Sequence, residues 1–362
     1  MSTAAHSPPD AARQIQFLRK VQRILEEGHF TATYKFALVH ALADLAVQYG
    51  DDSGGPLHLP VRAIAERFVE LYWRQVAPWP AIEMGTARPP VLAQNTGRQA
   101  AVVRMVREAR SDFGDRLDRL RARDGEWEAL ATSVDQTIRK MPLFKLQKVG
   151  REPADEFLYP HRLKGRGADA TIELRPGIAF CFRTFHPLVL DLVRGSWIRF
   201  IRKLNPELLG ERTDLGEFLF GAQRSTLEAV RVPLADLQDG SCFYCHRELG
   251  RQVHVDHFIP WSRYPVDLGH NFVVAHDRCN SAKSDHLSAL RHLENWGLRN
   301  EKYSYELPRI FRETGTANDI SLSRGITRWA YRQVEDRKGL VWVKGRQLIP
   351  LESGWEELID AA

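Results

Sequence analysis

Two pairs of soft donors, each separated by two residues, constrain this chain more than any other feature: Cys242-x-x-Cys245 and, later, His276-x-x-Cys279. A two-residue gap lets both ligands of a pair turn inward on one knuckle. Two such pairs supply the four donors of a tetrahedral zinc ion. The window from Ser241 to His292 holds three of the four Cys and seven of the thirteen His of a 362-residue chain. So few cysteines in so long a chain exclude a disulfide framework and direct the thiols to metal. The segment between the knuckles must therefore leave and return to one point.

The intervening residues allow that path. Arg251–His257 alternates as a strand, which puts Asp256 and His257 on opposite faces unless the strand ends there; Pro260 ends it. A second strand around Asn271–Ala275 returns to the metal, and Asn280 then opens a helix with Lys283 and Leu287 on one side. The expected unit is a small ββα module with zinc as its core.

Asp256-His257-x-x-Pro260, a central Asn271, and Cys279-Asn280-x-x-Lys283, set among the two zinc pairs, resemble the HNH endonucleases of the zinc-stapled kind. The resemblance covers roughly Leu237–Leu293. The second pair opens with His276 where many members have Cys, and imidazole serves zinc equally well. Carried over by position, the resemblance implies that His257 is the general base taking a proton from water. It also implies that Asp256 and Asn280 hold one divalent cation against the scissile phosphate.

The residue types agree with those roles. Imidazole titrates near neutral pH. A carboxylate and an amide oxygen are hard donors suited to Mg²⁺ or Mn²⁺ that leave most coordination positions free, and such a cation stabilises charge on the phosphate and the leaving 3′-oxygen. Asn271 reads as a clamp on the loop that aims His257. Lys283 reads as a phosphate contact from the helix start. His254 stays open between a further metal or phosphate contact and a partly exposed strand residue. His246, His270, His286 and His292 read as surface or packing histidines, and Cys181 as a buried apolar residue.

The rest of the chain reads as mainly α. Helices are expected over Gln16–Tyr49, broken by Thr31 or Thr33 as N-cap, and over Val61–Val76, with charged helices in Val91–Lys140. Ile172–Phe182 is open between a hairpin and a strand running into a helix. Pro187 opens a helix that buries Leu190, Val193, Trp197, Ile201 and Leu204. Ser323–Arg337 reads as a helix, Leu340–Ile349 as a hairpin, and residues 1–15 as a frayed tail. The expected layout is a helical recognition or regulatory domain over 1–235, the HNH module over 236–295, and a helix and β-hairpin over 296–362 that pack on the rest.

Composition adds limits. No apolar run approaches the ~20 residues of a bilayer span, and the first residues lack a signal-peptide pattern, so a cytoplasmic protein with no membrane partner is expected. The net charge of +5 permits a polyanion without demanding one. Between Asp236 and Leu293, six Lys/Arg face seven Asp/Glu, so the module itself is near neutral. Phosphate affinity is therefore expected from the basic 145–166 segment and from Arg194, Arg199, Arg202 and Lys203 on one helix face. The leading reading is a metal-dependent endonuclease acting on DNA, suited to bacterial restriction or anti-phage defence, whose helical body also offers a surface for a protein partner. The alternatives are a non-catalytic zinc nucleic-acid-binding or regulatory subunit, and an RNA-cleaving nuclease.

Overall fold

A helix that is apolar all round has to be buried on every side, and the run Tyr34–Tyr49 is such a helix. In the computed structural model every residue from Lys35 to Val47 is buried. The structure describes residues 6–28, 30–79, 90–97, 99–150, 153–209, 214–221, 224–250 and 253–360. They divide into two compact units. One comprises the residues up to Asp115 with Gly125–Gly221; the other comprises Arg116–Asp124 with the residues from 222 onward.

The first unit holds α1 (Ala11–Glu27), α2 (Tyr34–Tyr49), β1 (Leu57–Pro60), α3 (Val61–Gln75) and α4 (Ala101–Phe113). After α5 (Leu117–Arg121), which belongs to the second unit, it continues with α6 (Asp124–Lys140), α7 (Pro142–Lys145), β2 (Thr171–Leu174), α8 (Ile178–Thr184), α9 (His186–Leu204) and α10 (Leu215–Phe220). Helix α2 is the axis, packed by α3, α8 and α9. Strands β1 and β2 pair antiparallel with Leu59 opposite Ile172. β2 runs directly into α8 and does not form a local hairpin; Gly177, at φ 84°, makes the turn in a left-handed conformation.

The first residues differ from expectation. Instead of a frayed tail, α1 starts at Ala11, because the Asp10 carboxylate caps it by accepting from the Arg13 N–H at 2.8 Å, and Pro9 is buried. Residues 1–5 lie outside the described residues.

Burying α2 also buries its polar residues, and these must be paired. Asp44 accepts from Arg67 Nε at 2.7 Å and His186 Nε2 at 2.8 Å. His40 Nδ1 lies 3.0 Å from the same carboxylate, and Arg194 Nε lies 3.3 Å from His40 Nε2. Burial pushes the Asp44 carboxyl up, but Arg67 and the two histidines reverse this and hold it well below the usual carboxylate range. Burial lowers His40 to about 4 against the attraction of Asp44. The neutral ring then donates from Nδ1 to Asp44 and accepts from Arg194 at Nε2.

The second unit adds α11 (Arg224–Leu237), β3 (Val253–His257), β4 (Phe272–His276), α12 (Asp277–Lys283), α13 (Leu290–Lys302), α14 (Glu306–Glu313), α15 (Ile320–Asp336), β5 (Leu340–Lys344), β6 (Gln347–Pro350) and α16 (Trp355–Asp360). Helix α11 sits here, although sequence alone put the boundary at 235. The reason is that Val230 and Leu234 share a core with Phe272, Val274, Leu307 and Phe311. The C-terminal residues complete this core. Trp296 stacks on Phe258 at 5.6 Å and donates from Nε1 to the His270 carbonyl at 2.7 Å. Trp342 of the β5–β6 hairpin packs edge-on against Tyr244 at 5.2 Å. Gly315, at φ 67°, lies against α5, where a Cβ would sit 1.8 Å from the Asp118 carbonyl oxygen. Among the described residues no helix is long and apolar enough to cross a membrane.

The buried Asp44 cluster generates a stability prediction. Removing the carboxylate takes a buried partner from Arg67, which keeps Glu70, and from the two imidazoles together, so Asp44→Ala is expected to cost about 3–5 kcal/mol, read as a lowered urea midpoint. The pH dependence has a defined sign. His40 is neutral when folded and takes up a proton more readily when unfolded, so stability is lost as pH falls from the unfolded value near 6.5 toward about 4. The Asp44 contribution follows below the unfolded carboxylate value of about 4. A flat midpoint between pH 7 and pH 4 contradicts this assignment.

Candidate functional site

The two knuckles meet. Sγ of Cys242, Cys245 and Cys279 and a ring nitrogen of His276 all lie within 4.8 Å of one another, a cage of the size of tetrahedral zinc with ~2.3 Å metal–sulfur bonds. The first knuckle is built by local backbone bonds. The Cys242 N–H donates to the Arg247 carbonyl at 2.9 Å, the His246 N–H donates to the Cys242 carbonyl at 2.8 Å, and His246 takes φ 55° to close the turn. Gln238 straps it to β4, donating from Nε2 to Ser241 O and Val274 O and accepting from the Val274 N–H, each at 2.9 Å.

The donor chemistry fits a metal. His276 turns Nδ1 toward Cys245 Sγ at 3.3 Å and donates from Nε2 to the Glu248 carbonyl at 3.0 Å, an outer bond that fixes the ligating tautomer. Burial, then the neighbouring Cys242 and Cys245, push the Cys279 thiol up to about 12. Three sulfurs this close cannot all ionise without a cation between them. The group is a Cys3His set fitted to zinc.

The far end of the same ribbon carries the other residues. β3 and β4 pair antiparallel with Val253 opposite His276 and His257 opposite Phe272. Asp256 and His257 are both buried at the end of β3. Asp256 Oδ2 accepts from the Tyr244 hydroxyl at 2.5 Å and lies 3.0 Å from Lys283 Nζ. Its Oδ1 has no hydrogen bond among the described residues. His257 Nε2 lies 2.8 Å from Asp267 Oδ1, and the ring packs against Trp261 and Phe272. Asn271 brackets the loop after β3: its Oδ1 accepts from the Ile259 N–H at 2.7 Å and its Nδ2 donates to the Ile259 carbonyl at 3.0 Å. Asn280 stands half-buried on α12, which packs on β3 and β4, and its side-chain amide makes no hydrogen bond among the described residues.

Two expected phosphate contacts are corrected. Lys283 is fully buried, and its ammonium is spent on the His257 carbonyl at 2.9 Å and on Asp256; it supports the site from beneath and does not face a phosphate. Arg194 turns inward to His40 and lies over the Phe220 ring at 5.4 Å. Arg199 and Lys203 are exposed on α9, where Arg199 donates to Ser196 Oγ at 2.8 Å, and Arg202 is half-buried. His254 is exposed, 3.4 Å from Asp277. His270 and His292 are buried, and burial lowers both to about 4.

Sequence reasoning missed Asp267, Tyr244 and Gln238. Asp267 lies four residues before Asn271, and only the folded loop shows that it meets His257. Tyr244 carried a usable signal, since it lies inside the first knuckle.

The metal assignment is tested by removal. The purified chain is expected to hold about one zinc, and Cys245→Ala or Cys279→Ala to lose it and to lower the melting temperature of the second unit. Full thermal stability after chelation contradicts a structural zinc.

Comparison with known proteins matches these two units. A family described as a domain of unknown function (DUF8808) covers residues 14–217, and one described as HNH endonuclease covers residues 242–286. No curated protein and no solved structure matches the chain. The longer match embraces most of the first unit, and the shorter contains the Cys3His group and the Asp256–His257 ribbon. The chain thus belongs to the family of this domain of unknown function (DUF8808) and carries an HNH endonuclease region at residues 242–286.

Proposed function

We propose that the second unit is a metal-dependent endonuclease that hydrolyses DNA phosphodiester bonds, with His257 as general base. The observation that carries this reading is the pairing of His257 with Asp267 inside the HNH region. An ionised Asp267 accepts from Nε2–H, so the neutral ring keeps its lone pair on Nδ1. That nitrogen takes the proton of the attacking water, and the carboxylate stabilises the resulting imidazolium. The water oxygen bonds to phosphorus as the P–O3′ bond breaks, and the 3′-oxygen leaves with a proton from solvent. Asp267 is thus a positioning residue.

Among the described residues Asp256 Oδ1 and the Asn280 amide oxygen are hard donors without hydrogen bonds, on adjoining elements, and together they suit Mg²⁺ or Mn²⁺. A divalent cation held there supplies charge neutralisation at the phosphate and the leaving oxygen. Tyr244 and Lys283 hold the other oxygen of Asp256, so that carboxylate is fixed before a cation arrives. The helical body is read as the part that recognises substrate, trigger or protein partner, a layout suited to restriction or anti-phage defence.

The test is nicking of supercoiled plasmid by the zinc-loaded chain in Mg²⁺, in Mn²⁺, or with no added divalent cation. His257→Ala is expected to slow nicking by about 10²–10⁴-fold. Asp267→Asn is expected to lower kcat by about tenfold or more with KM unchanged and to alter the His257 tautomer seen by ¹⁵N NMR. Nicking that survives His257→Ala rules out this role. An unaltered tautomer in Asp267→Asn rules out the positioning role.

A further inference from the structure

The helical body holds a second concentration of positive charge, at the start of the basic 145–166 segment, that the chemistry of the second unit does not use. At the amino end of α2, a cavity of about 270 Å³ opens, lined by Tyr34 and Lys35 and by Met141, Pro142, Lys145 and Lys148 in and beside α7. Three ammonium-bearing side chains line it and no acidic residue does. Among the described residues none of these lysines forms an ion pair.

Lys35 is the informative member. It is only 8% exposed, and its Nζ donates to the Lys148 carbonyl at 3.0 Å and lies 5.6 Å from the centre of the Phe30 ring. Its ammonium is therefore held at the cavity wall by a backbone carbonyl. Burial, then the like charge of Lys145, lower it to about 8. A fixed, buried cation crowded by a second is unfavourable unless a counter-charge joins them. The side chain of Thr33 does not cap α2, being engaged by Tyr72 and Gln94, so the helix end adds positive potential of the same sign.

The rest of the wall is apolar. Met141, 51% exposed, leaves a large side chain in water beside the lysines, next to Pro142 and the Tyr34 ring. Such a lining suits a molecule with both a charged and an apolar part. The volume lies just below the range of small-ligand pockets, about 300–1000 Å³. That size suits a mononucleotide and is too small for a folded partner.

We propose that this cavity binds a small phosphorylated organic molecule, its phosphate dianion held by Lys35, Lys145 and Lys148 and its remainder lying on Tyr34, Met141 and Pro142. The proposal stands apart from the nuclease reading, since it uses no residue of the second unit.

Calorimetric titration of the full chain with AMP, inorganic phosphate and a short single-stranded oligonucleotide tests it. The comparison variants are Lys145→Glu/Lys148→Glu, at exposed positions that do not endanger folding, and Lys35→Gln. AMP is expected to bind more tightly than inorganic phosphate and to lose about tenfold or more in affinity in the variants. If Lys35→Gln fails to fold, the double variant decides. No AMP binding up to about 10 mM, or equal binding in wild type and the double variant, overturns the proposal. Lysine-dependent binding of the oligonucleotide alone also overturns it, assigning the lysines to a nucleic-acid strand.

Discussion

The antiparallel register of β3 and β4 is the constraint on which the site depends. His276, a zinc donor, sits opposite Val253 at one end of the ribbon, and His257 sits opposite Phe272 at the other. A slip of one residue would turn every side chain to the wrong face, parting His276 from the cysteines and His257 from Asp267 together. The ribbon is too short to hold its own register. It is pinned at one end by the Cys3His group and the Gln238 strap, and at the other by Asn271 and the ammonium of Lys283.

Lys283 shows how a plausible surface role becomes an interior one. Its position in Cys279-Asn280-x-x-Lys283 matches a phosphate contact at a helix start, yet its ammonium joins the carbonyl of His257 to the carboxylate of Asp256. The buried cation offsets a buried carboxylate, and Tyr244 completes that carboxylate's hydrogen bonds while Trp342 covers the ring. The C-terminal hairpin is thereby part of the site's support. In the helical body the same rule places Arg194 half-buried against His40.

Legibility in the sequence followed the range of the interaction. The zinc donors, β3 and β4, α9 and the final hairpin were readable because spacing and periodicity are local properties, whereas β1 was not, because it pairs with the distant β2. The Asn271 bracket on Ile259 closes a short loop, an interaction of short range. Asp267, Gln238 and the Asp44 cluster were not readable, because each acts on residues that only the fold brings near. The start of α1 was hidden because no large apolar residue precedes Ile15 in the helix, and only the Asp10 cap marks it.

The measurement that bears most directly on the central claim is end-group analysis of an end-labelled duplex oligonucleotide incubated with the zinc-loaded chain and Mn²⁺. Attack by water at phosphorus with departure of the 3′-oxygen predicts internal cuts carrying 5′-phosphate and 3′-hydroxyl ends. An oligonucleotide that stays intact, or products with a 3′-phosphate, would contradict it.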